Sequence, residues 1–278
     1  MLIYYYHNSI SMSHSSTSMS ALNEIRKFYQ GLQTLYQTYL PKVDPNLVHD
    51  LLSRLQQQEK TDSAPFYIVE IFTKKGIDDE KKREYIIRKT GMAPTIYDHG
   101  THYVTNHRLT LELLNELSEP EDVVGITGYY SGNLSGVGAT HSKSDFTSKI
   151  DHASYYKTKT KIPSSTTHIP EDIDKLREIR IAFQGLQTLY QTYLPKVDPV
   201  LINDLLTRQE KNADTDNAPF YMVEMFTKDR TDEEAKREFI IRKTGMAPAI
   251  YDKGTHYVTN QRLTLELLNE LAEPEDVL

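Results

Sequence analysis

The chain has no cysteine and no tryptophan, and no apolar run approaches the roughly 18 residues that would span a bilayer. Without cysteine there are no disulfides, no thiolate metal centres and no cysteine nucleophile. That usage fits a reducing compartment, and a cytoplasmic protein without a membrane partner is expected. The first residues, MLIYYYHNSISMSHSSTSMS, lack a basic n-region and carry only a very short apolar stretch, so they do not read as a signal peptide. Glycine-rich phosphate loops are missing too. No GxGxxG or GxxxxGK follows a strand pattern, and GNLSGVG at 132–138 has no helix pattern after it. No GxSxG or HExxH occurs either. No motif therefore calls for a cofactor.

Charge of one sign is also not concentrated anywhere. The chain carries 32 basic and 39 acidic residues for a net charge of −7, and no block of like charge stands out. A nucleic-acid partner held by phosphate contacts is disfavoured on that balance.

What is present is a repeat. Residues 21–124 align with 175–278 at a constant offset of 154, without a gap, and about 75 of the 104 aligned pairs are identical. GLQTLYQTYLPKVDP occurs at 31–45 and again at 185–199. Two copies at so long a period make a tandem duplicated module, not a solenoid. The expected organisation is a disordered N-terminal segment (1–20), copy one (21–130), a flexible Ser/Thr/Gly/Tyr/Lys linker (131–170) and copy two (171–278).

Each module opens with helices. Leu22, Ile25, Phe28, Tyr29, Leu32, Leu35, Tyr36 and Tyr39 recur at spacings of three and four, which predicts an amphipathic helix. Pro41 ends it. Asp44 before Pro45 reads as an N-cap, and Leu47, Leu51, Leu52 and Leu55 place a second helix after it. Together they suggest a helical hairpin over 21–58. The part at 65–130 alternates strand and helix. PFYIVEIFTK (65–74) is a strand, and DDEKKREYIIRKTG (78–91) is a helix with an acidic start, a basic end and a closing glycine. PTIYD and THYVTN flank His99-Gly100 as a hairpin, and LTLELLNEL (109–117) is a helix capped by Thr110. VVGITGYYSG at 123–132 reads as a last strand or, alternatively, as linker. The order β-α-β-β-α-β predicts an α+β fold with a ferredoxin-like antiparallel sheet.

Copy two ends where copy one enters that last strand, so its strand at 220–228 is expected to present an open edge. A protein partner or self-association through this edge is expected, with LIYYY at 2–6 as one candidate cover.

Candidate acid–base residues are His102, Glu70 and Asp98, with His256, Glu224 and Asp252 in copy two. Asp98 also has a simpler role in the glycine turn, and Glu70 is the oddest polar residue in the module. Copy one places His99, His102 and His107 near each other in sequence, but copy two has Lys253, His256 and Gln261 there, so no metal site is assigned. Strand parity separates His102, Val104 and Asn106 from Thr101, Tyr103 and Thr105, with Val104 expected to face the helices. Tyr97, Tyr103, Tyr251 and Tyr257 are candidate binding residues on the open sheet face.

Three functions follow as expectations. The first is a non-enzymatic binding, regulatory or assembly protein with bivalent recognition. The second is a small-molecule enzyme with a His/carboxylate site in each module. The third is single-stranded RNA binding on an aromatic sheet face.

Overall fold

Propagating a helix beyond a packed nucleus adds one hydrogen bond per residue fixed, so a helix can outrun its apolar stripe. Helix α1 does so: it spans Tyr4–Tyr39, starting well inside the segment 1–20 expected to be disordered. The computed structural model describes residues 4–57, 64–132, 169–211, 218–229 and 231–278; most of the expected linker, 133–168, lies outside them. Among the described residues the chain is α+β, with eight helices and two antiparallel sheets. None of these helices is long and apolar enough to cross a membrane.

After α1 come α2 (Pro45–Gln57), β1 (Phe66–Thr73), α3 (Asp79–Thr90), β2 (Thr95–Tyr97), β3 (His102–Arg108), α4 (Leu111–Ser118) and β4 (Val123–Tyr130). The caps explain the boundaries. Asp44 Oδ1 accepts from Asn46 N (2.9 Å) at the start of α2, and Asp78 Oδ1 accepts from Lys81 N (3.1 Å) at the start of α3. Gly91 closes α3 in the left-handed region at φ 75°, where a side chain would strain the backbone. Thr110 caps α4 by accepting from Leu113 N (3.2 Å).

The first sheet has the order β2-β3-β1-β4, with β1 antiparallel to both neighbours. Residues 123–130 are therefore a strand and not linker. One face of this sheet is buried by Tyr67, Val69, Ile71, Tyr103 and Thr105. Parity thus runs opposite to expectation. Tyr103 points into the core, and Val104, in register with Glu70, lies on the open face with it.

The later elements are α5 (Ile169–Tyr193), α6 (Pro199–Lys211), β5 (Phe220–Phe226), α7 (Glu233–Thr244), β6 (Ala249–Tyr251), β7 (His256–Arg262) and α8 (Leu265–Ala272). The second sheet has the order β5-β7-β6, which leaves β5 at an edge. Of the candidate cover LIYYY, Tyr4–Tyr6 are helical and not a strand, while Leu2 and Ile3 lie outside the described residues.

The chain divides into two compact units. One holds residues 1–35 with 180–278, and the other holds 36–179. Within the first unit, α1 packs among elements of the later repeat. Tyr29 Oη and Thr207 Oγ1 share a hydrogen bond (2.7 Å), Arg26 pairs with Glu266 (2.5 Å), and Leu22, Ile25, Tyr29 and Leu32 are buried. Within the other unit, Tyr39 Oη donates to Glu178 Oε2 (2.6 Å) on α5.

Candidate functional site

The β2–β3 hairpin fixes the position of the site. Asp98 (φ 51°), His99 (φ 55°) and Gly100 (φ 82°) all lie in the left-handed region, so the turn is wider than the His99-Gly100 pair expected from sequence. Gly100 N donates to Tyr97 O (3.1 Å) and Thr101 Oγ1 donates to the Asp98 carbonyl (2.9 Å). Aspartate and histidine tolerate this conformation better than most side chains. The turn frees the Asp98 carboxylate, which stands 3.7 Å from His102 Nδ1.

His102 is the centre. Its Nε2 is 2.9 Å from Glu70 Oε2, so the ring sits between two carboxylates. Phe72, directly across the β1–β3 ladder, stacks on the imidazole at 4.5 Å and 12°. Tyr97, across the β2–β3 ladder, closes the other side at 5.5 Å. All five side chains lie on the open face of the sheet. His102 is only 17% exposed, while Asp98 is 75% exposed. A ring held between two carboxylates and an aromatic stack favours a fixed orientation, and the cluster presents negative charge with an aromatic rim.

The second sheet places the matching residues together, but without the histidine–glutamate hydrogen bond, His256 Nε2 being buried with no hydrogen-bond partner. His256 Nε2 is 3.4 Å from Glu224 Oε2, and Nδ1 is 3.7 Å from Asp252 Oδ2. Phe226 stacks on His256 at 4.6 Å and 16°, and Tyr251 lies at 5.5 Å. Asp252 and Lys253 repeat the left-handed turn. A second difference is at the flank. Glu70 has Thr127 of β4 opposite it, whereas Glu224 has no strand on that side among the described residues and is 54% exposed against 28%.

The structure therefore brings together Glu70, Asp98, His102 and Tyr97, and likewise Glu224, Asp252, His256 and Tyr251. It does not bring Tyr103 or Tyr257 to them. Both are buried on the helix side, where Tyr103 Oη donates to Asp79 Oδ1 (3.4 Å). Burial first, then the Asp79 carboxylate, pushes the Tyr103 phenol up to about 12. His107 lies on the core face as well, opposite His102 on β3, and burial lowers it to about 4. Among the described residues no group of three histidine or carboxylate side chains is placed to hold a metal.

Phe72 and Phe226 are site residues that the sequence reading passed over. Once β1 and β3 are paired, Phe72 falls opposite His102, so the signal lay in the ladder register. A second missed network sits at the other end of β1. Tyr67 Oη donates to Asp50 Oδ2 (2.5 Å), Arg54 pairs with Asp50 (3.0 Å), and the Arg54 guanidinium lies 3.6 Å over the ring of Tyr130.

Comparison with protein families, curated proteins and solved structures returned no match to this chain.

Proposed function

We propose that this chain is a tandem-domain binding protein that presents one His–carboxylate–aromatic patch twice, on two ferredoxin-like sheets. The order β2-β3-β1-β4, with α3 and α4 as the crossovers, supports the ferredoxin-like reading of the first sheet. Matching strings and matching elements at an offset of 154 support a duplication. The observation that carries the binding reading is the recurrence of five side chains in like geometry: Glu70, Phe72, Tyr97, Asp98 and His102, and again Glu224, Phe226, Tyr251, Asp252 and His256. In both sheets the histidine is mostly shielded, at 17% and 19% exposed, while the turn aspartate beside it stands open to solvent. Two equal sites joined in one chain raise avidity without a new contact. The patch suits a cationic group, which two carboxylates and aromatic faces favour. The edge of β5, within 220–228, is a separate surface for a protein partner or self-association.

The test is recovery of partners by the full chain and by H102A, H256A and the double variant. Each single variant is expected to lose most of the avidity and the double variant all of it. Equal recovery by the single variants and the parent would count against bivalency, and unchanged recovery by the double variant would remove the patch from the function.

One observation favours the enzyme reading. A histidine between Glu70 and Asp98 has the contacts of an acid–base group oriented by a carboxylate. The single-stranded RNA reading loses two of its four rings, because Tyr103 and Tyr257 face the core, and it sets carboxylates on the remaining face.

A further inference from the structure

All four strands of the first sheet meet in one row on its open face. Tyr97, His102, Phe72 and Gly125 lie side by side across β2, β3, β1 and β4. Tyr97 and Phe72 flank His102, with ring centroids at 5.5 and 4.5 Å. Phe72 stacks on His102 at 12°, so its second face turns the other way, toward β4. The residue there is Gly125, and the row of rings ends without a side chain to cover it.

The fold does not require a glycine at this position. Its φ lies outside the left-handed region. A Cβ would meet only Phe72 Cδ2, at 4.0 Å, which is ordinary contact. Gly128, three residues on, is different, because a Cβ there would stand 2.5 Å from the Ile68 carbonyl oxygen. The ladder shifts register between Phe72 and Thr73, next to Gly125, but a bulge demands glycine only where φ is positive. Glycine weakens the interior of a strand, and one without a backbone or packing reason marks a place where a ligand approaches.

The groups around the gap are acidic. Glu70, two residues before Phe72 on the same face, gives Oε2 to His102, and its other oxygen carries no hydrogen bond among the described residues. Thr127, opposite Glu70, donates to Asp44 Oδ2 (3.3 Å). Lys42, which flanks β4, spends its ammonium on the carbonyls of Glu119 (3.4 Å) and Pro120 (2.7 Å). Further along the same face Tyr129, opposite Ile68, is 56% exposed.

We propose that Gly125 opens a slot for the arginine side chain of a partner protein. The guanidinium plane stacks on the free face of Phe72, in line with Tyr97 and His102, and donates to Glu70 Oε1. A planar, weakly hydrated cation suits a ring face and a carboxylate together better than a compact ammonium does. Tyr129 receives an apolar neighbour of that arginine. The inference rests on the His102 patch being the binding surface, and names what the patch takes.

The probe is N-acetyl-arginine methylamide, titrated into the full chain while the NMR signals of Gly125, Phe72 and His102 are followed. These signals should shift saturably. N-acetyl-lysine methylamide should bind about three-fold more weakly, and a tripeptide with leucine on each side of the arginine should bind more tightly. Gly125→Ala should melt no lower than the parent and weaken the shifts, and Gly125→Val should abolish them. Stability kept while binding is lost is a result that a purely structural glycine does not give. If both variants melt lower, the glycine serves the bulge and the slot falls. No saturable shift, equal binding of the arginine and lysine compounds, or shifts that persist in Gly125→Val also overturn the proposal. Equal binding of the tripeptide and the single residue assigns the slot to a free guanidino compound and removes the protein partner. Partner recovery lost in H102A but kept in G125V sinks the slot and leaves the patch standing, whereas recovery unchanged in H102A/H256A sinks the patch itself.

Discussion

Arg26 on α1 pairs with Glu266 on α8 at 2.5 Å, although 240 residues separate them. The ion pair itself is about a third exposed and is worth about 0.5 kcal/mol. Its meaning is topological, because it ties the start of the first repeat to a unit otherwise built from 180–278. Buried Ile25 and Leu32 on the same helix supply the larger energy. L32A is expected to destabilise that unit by about 3 kcal/mol in denaturant unfolding, while R26A costs little. Burial is the largest single influence on the Glu266 carboxyl and raises it, but the Arg26 hydrogen bond and charge, with the backbone and Thr264 hydrogen bonds, together outweigh it and hold the group below its ordinary value. A lowered carboxylate stabilises above the unfolded pKa, and the gain vanishes as pH falls through the folded one. The small penalty of R26A should therefore disappear in strong acid. A chain of residues 180–278 alone should melt well below the full chain. An unchanged melting temperature would show that α1 is dispensable to it.

This arrangement was not legible in the sequence for a physical reason. GLQTLYQTYLPKVDP is the same in both repeats, so either helix satisfies either body, and periodicity cannot choose between them. The elements themselves were legible, because Asp78, Gly91 and Thr110 mark their ends chemically. The face of β3 was misread because HYVTNHR mixes polar and apolar residues on both sides, and Val104 drew the assignment. Glu70 held the better signal. It must face out from a strand whose other side is Tyr67, Val69 and Ile71, and its register partner is Val104. The His102 cluster became visible only through that pairing.

Acid sensitivity should come from the core histidines His107 and His49. Burial lowers His107 to about 4 and, against the pull of Asp50, lowers His49 to about 4. The unfolded chain takes up these protons near the ordinary value of about 6.5. Stability is therefore whole above that pH and falls between there and about 4, by up to about 3 kcal/mol for each histidine. His107→Gln is a conservative probe, because Gln261 fills the matching place and its Oε1 accepts from Thr259 Oγ1 at 2.7 Å. Urea midpoints at pH 7, 5.5 and 4 should show a shallower acid loss for H107Q. Parallel curves for variant and parent would mean that His107 does not titrate as a buried neutral group.

Gly128 offers a direct check on the β1–β4 register. A Cβ would lie 2.5 Å from the Ile68 carbonyl oxygen and 3.3 Å from Val69 Cα, both backbone atoms that cannot turn aside. Gly128→Val should cost about 2 kcal/mol or more, as overpacking does. The matched control is G125A, where the nearest atom is the Phe72 ring edge at 4.0 Å. Equal stability of the two variants would displace Gly128 from its position opposite Val69.

Lys82 is 7% exposed and pairs with Asp122 at 2.5 Å, and Lys236 repeats the pair with Asp276 at 2.6 Å. The Asp122 backbone carbonyl also accepts from Lys74 N (2.8 Å), so this carboxylate sits where the chain enters β4. Removing one partner and removing both have different consequences. Asp122→Asn leaves an ammonium buried without its counter-charge, at a cost of about 3 kcal/mol. Lys82→Met removes the charge and keeps the volume, leaving Asp122, which is 28% exposed, to the solvent. The double variant should then recover most of what D122N loses. Thermal unfolding of the four chains at neutral pH measures the cycle. If K82M proved as damaging as D122N and the double variant summed the two, the coupling between Lys82 and Asp122 would be nil, and each side chain would be acting through other contacts rather than as a pair.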